Sequence, residues 1–314
     1  RGFENIFVVK EQELPDPEFT TVGYPNPEVP KAFLYSEKLG KEVGADILIA
    51  TDPDCDRVAL EVKDKNGEYV FLNGNRIGAL LSYYIFSQRH ALNNLPENPV
   101  LVKSIVTGDL SRAIAKKYGI ETVETLTGFK NICGKTNEYD VTKEKNYVFG
   151  YEESIGFCYG TFIRDKDAVG ASMMVVEMAA YYKKQGKSLL EVLNDIYEEF
   201  GYYNERQISL ELEGIEGQQR IGRMMEDFRE NPIEEMGDIS LKEIIDFKDG
   251  YLDFPKQNCL KYYLNDGSWY ALRPSGTEPK IKLYIYTIGK TEQESVDKLD
   301  LIEKVCREKM NNVK

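Results

Sequence analysis

Between residues 100 and 199 short apolar runs alternate with longer stretches of helical spacing, and this alternation limits the fold more than any other feature. "VLVKSIV" (100–106) reads as a buried strand, "GDLSRAIAKKYG" as a helix closed by Gly119, and "ETVETL" as a short strand. "GFKNICGKTNEY" reads as the next helix and "NYVFGYE" (146–152) as the next strand, followed by helices over 167–184 and 188–199. A strand–helix–strand succession places helices over a sheet through right-handed crossovers. An α/β architecture with a parallel or mixed sheet between helices is therefore expected.

The flanking regions differ. "NIFVV" (5–9) is expected as a strand, 29–43 as a helix and "ADILIA" (45–50) as a buried strand. "VALEVKD" and "EYVFL" form a strand pair turned by "KNGE". "NGNRIGALLSYYIFSQ" is a helix capped by Asn73 or Asn75. After residue 200, "YYNERQISLELEG" reads as a strand, 215–230 as a helix, "SWYALRP" and "KIKLYIYTIG" as strands, and 291–312 as an amphipathic helix. These predict a smaller α+β domain with an antiparallel sheet. Boundaries are expected near 70 and 200, giving domains over 1–70, 71–199 and 200–314.

A length of 314 residues accommodates two or three domains. The net charge of −13 argues against a nucleic-acid partner but leaves room for a local basic pocket that binds a small anion. Five cysteines without a C-x-x-C pair predict reduced thiols and a cytoplasmic setting. The apolar stretch 168–182 contains Glu177 and is too short to span a bilayer, so no membrane partner is expected. The chain opens without Met and almost directly on an apolar run, and is expected to be a piece of a longer protein.

"IATDPDCDRVAL" (49–60) puts Asp52, Asp54 and Asp56 at alternate positions behind an apolar run. An EF-hand would need Gly at the sixth loop position and Glu at the twelfth, where Arg57 and Lys63 stand. Phosphatases with an aspartate nucleophile also place D-x-D after a buried strand, and Asp52 as such a nucleophile stays a lesser alternative. In extended backbone the three side chains share one face and can converge on one cation. Without a cation their like charges repel. An all-oxygen set suits Mg²⁺ before Zn²⁺.

"RPSGTEPKIK" (273–282) offers Arg273, Ser275, Thr277 and Lys280 as donors, with Gly276 letting backbone N–H groups turn inward. Arg and Lys together suit a phosphate, although a plain Pro/Gly turn also fits "PSGT". In "FGYEESIGF" (149–157), Glu152 and Ser154 share a face if the segment is extended, and could bind a polyol or simply be solvated. "RDKDAV" (164–169) starts a helix capped by Asp165 or Asp167. Lys166 beside them would shuttle a proton if partly desolvated, and otherwise is a solvated surface residue. His90, the single histidine, falls at a helix end, so no His-based triad is expected.

Together these segments resemble the α-D-phosphohexomutase family, the phosphoglucomutases and phosphomannomutases, over nearly the whole chain and in the family's order. "DPDCDR" is similar to its Mg²⁺ loop, "GYEESIG" to its sugar-recognition loop and "RPSGTEPK" to its phosphate loop; "TLTGFKNI" (125–132) and "RDKDAVGA" also read as family segments. The resemblance implies four domains around one cleft, the second holding Mg²⁺, the third reading the sugar and the fourth gripping a phosphate. It implies Asp52, Asp54 and Asp56 as metal ligands and Arg57 near the transferring phosphate. Glu152 and Ser154 would bind sugar hydroxyls, and Arg273, Ser275, Gly276, Thr277 and Lys280 would hold the distal phosphate. Lys166 matches the position of a general acid/base, and Thr127, Gly128 and Lys130 would line the cleft.

The implied reaction interconverts hexose 1-phosphate and hexose 6-phosphate through a phosphoserine and a hexose bisphosphate. The sugar loop looks closest to bacterial phosphoglucomutases, which favours glucose, with mannose next. Two departures stand out. The family's S-H-N-P phosphoserine motif is absent, so the nucleophile is expected on a missing N-terminal domain of the same protein and the fragment is expected to be inactive by itself. Cys55 replaces a usually small residue. A non-catalytic sugar-phosphate binding module and a phosphopentomutase are the remaining alternatives.

Overall fold

A computed structural model describes residues 2–276 and 278–314, so Thr277 lies outside the described residues. Residues 5–9 form no strand: Ile6, Phe7 and Val8 are 64, 56 and 55% exposed. High strand propensity is not sufficient, because a strand persists only when its N–H and C=O groups find a partner, and the sheets pair other segments.

Single 3₁₀ turns at Lys10–Gln12 and Pro30–Phe33 precede helix α1 (Leu34–Val43). Gly44 ends α1 at φ 71°, the left-handed conformation that glycine adopts without steric cost. Strands β1 (Ile47–Thr51), β2 (Val58–Lys63) and β3 (Tyr69–Leu72) then form an antiparallel sheet in sequence order. The 45–50 run and the strand pair after the aspartates thus form strands as expected, but β1 is not the buried strand foreseen: only Leu48 is buried, because β1 lies at the edge of its sheet. The segment between β1 and β2 is the aspartate loop.

Helix α2 (Gly74–Ala91) is capped by Asn73, whose side chain accepts from Arg76 N. Asn75 instead accepts from Gly108 N at 2.8 Å, and His90 lies in the helix's last turn. There follow β4 (Pro99–Ser104), α3 (Leu110–Lys117), β5 (Glu121–Thr125), α4 (Phe129–Thr142), β6 (Asn146–Glu152), β7 (Gly156–Tyr159), α5 (Ala168–Lys183) and α6 (Leu189–Phe200). The sheet order is β5-β4-β6-β7, with β4, β5 and β6 parallel and β7 antiparallel at the edge. It is the expected mixed sheet. Four-residue β7 is too short to show a periodicity, and it exists because a tight turn returns the chain along β6.

Central β4 is buried along nearly its whole length, as a parallel strand between helices must be. Its Lys103 has no exposed surface, and its Nζ is compensated by Glu124 at 3.0 Å, Asp109 at 3.1 Å and the carbonyl of Thr107 at 2.7 Å. These elements belong to one compact unit, Arg1–Ile196.

The second unit, Tyr197–Lys314, contains β8 (Tyr202–Glu211), α7 (Gly214–Glu230), β9 (Glu235–Met236), β10 (Ile239–Asp246), β11 (Leu260–Leu264), β12 (Trp269–Pro274), β13 (Lys280–Gly289) and α8 (Glu292–Asn312). Its sheet runs β8-β13-β12-β11-β10-β9 and every pairing is antiparallel. Alternate residues such as Leu260, Tyr262, Leu272, Ile281 and Leu283 pack with Met224, Phe228, Leu299 and Ile302 of α7 and α8. Among the described residues, no helix is long and apolar enough to cross a membrane.

Candidate active site

The carboxylates of Asp52, Asp54 and Asp56 bring one oxygen each to within 4.8 Å of one another. The backbone is not the extended segment expected. Cys55 turns at φ 54°, and Cys55 N donates to Asp52 O at 3.0 Å. Asp52 Oδ1 accepts from the amides of Asp56 (3.0 Å) and Arg57 (2.9 Å), folding the loop over its own first carboxylate. Convergence therefore comes from a turn rather than from strand alternation.

The loop's charges are only partly balanced. Burial, followed by the charges of Asp56 and Asp54, pushes the Asp52 carboxyl up to about 6, although the Arg57 amide works against the shift. For Asp56 burial also acts upward, but the hydrogen bond from Lys166, with further help from Asp52 and the Arg57 charge, outweighs it and holds Asp56 low. Arg57 Nε lies 3.7 Å from both Asp52 and Asp56. Asp56 Oδ1 is buried and has no hydrogen-bond donor. Three hard oxygens, uncompensated repulsion and an orphaned carboxylate oxygen fit a divalent cation.

The 152–156 segment is a tight hairpin turn between β6 and β7, so Glu152 and Ser154 do not share a strand face. Glu152 is buried and accepts from Gly128 N at 2.6 Å, at the start of α4, where a carboxylate is favoured by the free N–H groups. Ser154 is half-buried on the turn. Thr127 and Gly128 sit in the β5–α4 loop, braced by Asn131 Nδ2 donating to Thr127 O at 2.9 Å, and Lys130 is exposed. Arg57 pairs with Gly156, and Val58 N donates to Ile155 O at 3.1 Å, so the aspartate loop and the hairpin are joined through their backbones.

Lys166 completes this cluster. Its Nζ lies 2.7 Å from Asp56 Oδ2 and 3.2 Å from Asp165 Oδ1. Gly156 makes this reach available, because a Cβ there would stand 2.5 Å from Lys166 Cδ. Burial pulls the Lys166 ammonium down, but the hydrogen bonds to Asp56 and Asp165 prevail and hold it above its usual value. The lowered value wanted of a proton-accepting lysine is not found: the two carboxylates favour the ammonium form. Asp167, not Asp165, caps α5 by accepting from Gly170 N at 2.9 Å.

In the second unit, β12 ends at Pro274 and β13 begins at Lys280. Ser275 N donates to Lys280 O at 2.8 Å and Ser275 Oγ accepts from Glu278 N at 3.3 Å. Lys280 Nζ meets Glu278 at 2.5 Å, and Arg273 Nη2 donates to Tyr284 Oη at 3.5 Å. Gly276 is exposed and is not in the left-handed conformation.

Sequence reasoning passed over Glu153, Ser104 and Thr107, which tie the hairpin to the end of β4 and the loop after it, and read Asn75 only as a helix cap, whereas it holds that loop at Gly108. A pair of hydroxyl residues closing a buried strand was the only available signal, and it names no partner.

Three family models match the chain in succession: phosphoglucomutase/phosphomannomutase alpha/beta/alpha domain II at residues 1–67, domain III at 73–200 and the C-terminal domain at 218–301. Phosphoglucomutases of Staphylococcus epidermidis RP62A and Staphylococcus aureus MRSA252 are each 38% identical over 295 residues, or 90% of this chain. The match covers 53% and 52% of those proteins, so the chain spans about half the length of the curated relatives it matches. Among solved structures, the Paramecium phosphoprotein pp63/parafusin, a phosphoglucomutase, superposes with a TM-score of 0.67 at 20% identity, over 92% of this chain and 50% of that one. The Aspergillus fumigatus N-acetylphosphoglucosamine mutase, solved with GlcNAc-6P and magnesium, shares the fold at a TM-score of 0.50 and 14% identity, over 88% and 53% of the two chains. The chain belongs to the phosphoglucomutase/phosphomannomutase family, with segments matching its domains II and III and its C-terminal domain.

Proposed function

We propose that this chain carries the metal, sugar-reading and distal-phosphate elements of a cytoplasmic phosphohexomutase acting on glucose phosphates, with mannose phosphates second. The observation that supports it best is the convergence of Asp52, Asp54 and Asp56, with Asp56 on Lys166 and the adjoining Arg57 and Val58 joined to the backbone of the 152–156 hairpin. Asp52, Asp54 and Asp56 would hold Mg²⁺, which when bound neutralises charge on a transferring phosphoryl group. The Aspergillus relative, solved with magnesium and a sugar phosphate, lends support to that choice of metal and ligand.

The protein's own groups do the rest. Arg57 and the Lys166 ammonium supply N–H donors to phosphoryl oxygens as their charge develops. Lys166, hydrogen-bonded to Asp56 and Asp165, stands at the position the resemblance gives to the general acid/base. Glu152 and Ser154 hold sugar hydroxyls, with Thr127, Gly128 and Lys130 along the same rim. Arg273, Ser275, Gly276, Thr277 and Lys280 grip the phosphate that is not reacting, and that remote binding energy serves positioning. No S-H-N-P motif occurs in these residues, so the phosphoserine is assigned to a segment outside them and the chain by itself is not expected to turn over.

The test is calorimetric titration of the chain with glucose 1-phosphate, with and without Mg²⁺. Binding strengthened by Mg²⁺ is expected. Asp54→Asn should weaken Mg²⁺ affinity about tenfold, or about 1.4 kcal/mol, by removing one charge from the ligand set. Unchanged Mg²⁺ affinity would refute the metal assignment.

A further inference from the structure

Glu153 separates the two residues read as sugar ligands, and its carboxylate points into the protein. Its Oε2 accepts from Thr107 Oγ1 at 2.9 Å and from Ser104 Oγ at 3.2 Å, and the two hydroxyl oxygens lie 2.8 Å apart. Both hydroxyl residues are fully buried. Ser104 ends central β4, which has β5 on one side and β6 on the other, and Thr107 follows in the loop just beyond it. In an open α/β sheet this is where the connections part and leave a crevice. Here a side chain from the next loop is bound in that place.

The turn around Glu153 is constrained from further sides. Ile155 is fully buried at φ 54°, an unfavourable conformation for a β-branched residue that persists only when its surroundings enforce it. Val58 N holds Ile155 O. A Cβ on Gly74 would lie 2.1 Å from Glu153 O, so the first turn of α2 rests on the hairpin backbone. Asn75 fixes the loop that carries Thr107 by accepting from Gly108 N.

We infer that Glu153 is a positioning residue: gripped by Ser104 and Thr107, it sets the turn that presents Glu152 and Ser154 to a sugar. The inference rests on reading this hairpin as the sugar-recognition element, and it assigns control of that element to a residue that does not touch the sugar. Glutamine keeps one carbonyl oxygen able to accept from both hydroxyls, whereas alanine keeps none.

The experiment compares the 314-residue chain with Glu153→Gln and Glu153→Ala. Amide hydrogen exchange without ligand should become at least tenfold faster over Ser154–Gly156 in Glu153→Ala, and stay within threefold of the parent in Glu153→Gln. Glucose 1-phosphate should bind at least tenfold more weakly to Glu153→Ala and within threefold of the parent to Glu153→Gln, with Mg²⁺ affinity within twofold throughout. Unchanged exchange in Glu153→Ala overturns the inference, as does faster exchange with unchanged sugar-phosphate affinity. A parent chain that does not bind glucose 1-phosphate overturns the sugar-recognition reading and this inference with it; equal binding by parent and Glu153→Ala overturns the inference alone. Should Glu153→Ala fail to fold, Thr107→Val deletes one donor and carries the same comparison.

Discussion

The aspartate loop and the 275–279 turn each join two antiparallel strands, yet they are built by different means. Residues 52–57 are fastened by their own amides, by the hairpin at Ile155 and Gly156, and by Lys166 from the start of α5. The link between β12 and β13 carries bonds among Ser275, Glu278 and Lys280, and Gly276 in it is exposed. Physical chemistry accounts for the contrast. Three carboxylates crowded together repel, so elements distant in sequence must hold them in place. A turn that offers N–H groups and spaced cations carries no comparable internal strain and can be formed locally.

Substitutions of glycine test that contrast most directly. Gly74→Ala would drive a methyl group into the backbone of Glu153, 2.1 Å from its oxygen. It should destabilise the first unit by about 3 kcal/mol, the upper range for overpacking, measured as a lower urea midpoint. A loss below about 0.5 kcal/mol, ordinary for a surface change, would mean that the scaffold behind the hairpin yields easily.

Glu61 sharpens the comparison, as a buried carboxylate of the first unit with no cation close by. It is 3% exposed, and its Oε2 has no hydrogen-bond partner. Burial, then the charge of Glu37, raises its pKa from the usual 4.5 to about 7. The folded state thus binds this proton more tightly than the unfolded chain does. Its contribution to stability is complete below pH 4.5 and declines as pH rises to about 7, by roughly 3 kcal/mol in all. Glu61→Gln should remove that decline and raise stability at pH 8, as followed by urea unfolding across the range. An unchanged pH profile would refute the assignment.

Arg273→Ala addresses the second turn. Loss of a charged hydrogen bond should weaken glucose 1-phosphate binding by about 1.5–3 kcal/mol while leaving Mg²⁺ affinity unchanged. Equal affinity would reduce the turn to a structural connection. The smallest effect belongs to Gly276→Ala, whose added methyl would meet no atom within 4 Å. Its stability should change by less than about 0.5 kcal/mol, and a larger loss would show that this turn is as constrained as the hairpin around Glu153.

The sequence was most legible where period and length carry the signal. β6 fills its expected range of 146–152, and α5, α7 and α8 fall within a residue or two of theirs. Legibility ended where a partner decides the outcome. "NIFVV" has strand composition and no strand, whereas the four residues of β7 pair because the 153–155 turn returns them to β6. Among the candidate site residues, Asp52, Asp54 and Asp56 could be read from residue type and spacing alone. The direction of the Lys166 shift could not, because burial works against it and the Asp56 hydrogen bond that joins Asp165 in overcoming burial comes from more than a hundred residues away in sequence.

By itself the sequence determined the class of fold, the three loops that bear charge or hydroxyl groups, and the family whose motifs they resemble. These follow from periodicity, turn chemistry and side-chain type, all of which are local. The tertiary structure decided that a turn rather than a strand gathers the aspartates, that Lys166 reaches Asp56, and that Glu153 is bound by Ser104 and Thr107. Each of those depends on burial and on distances between segments far apart in the chain, which set desolvation and Coulomb energies and are not encoded in any short stretch.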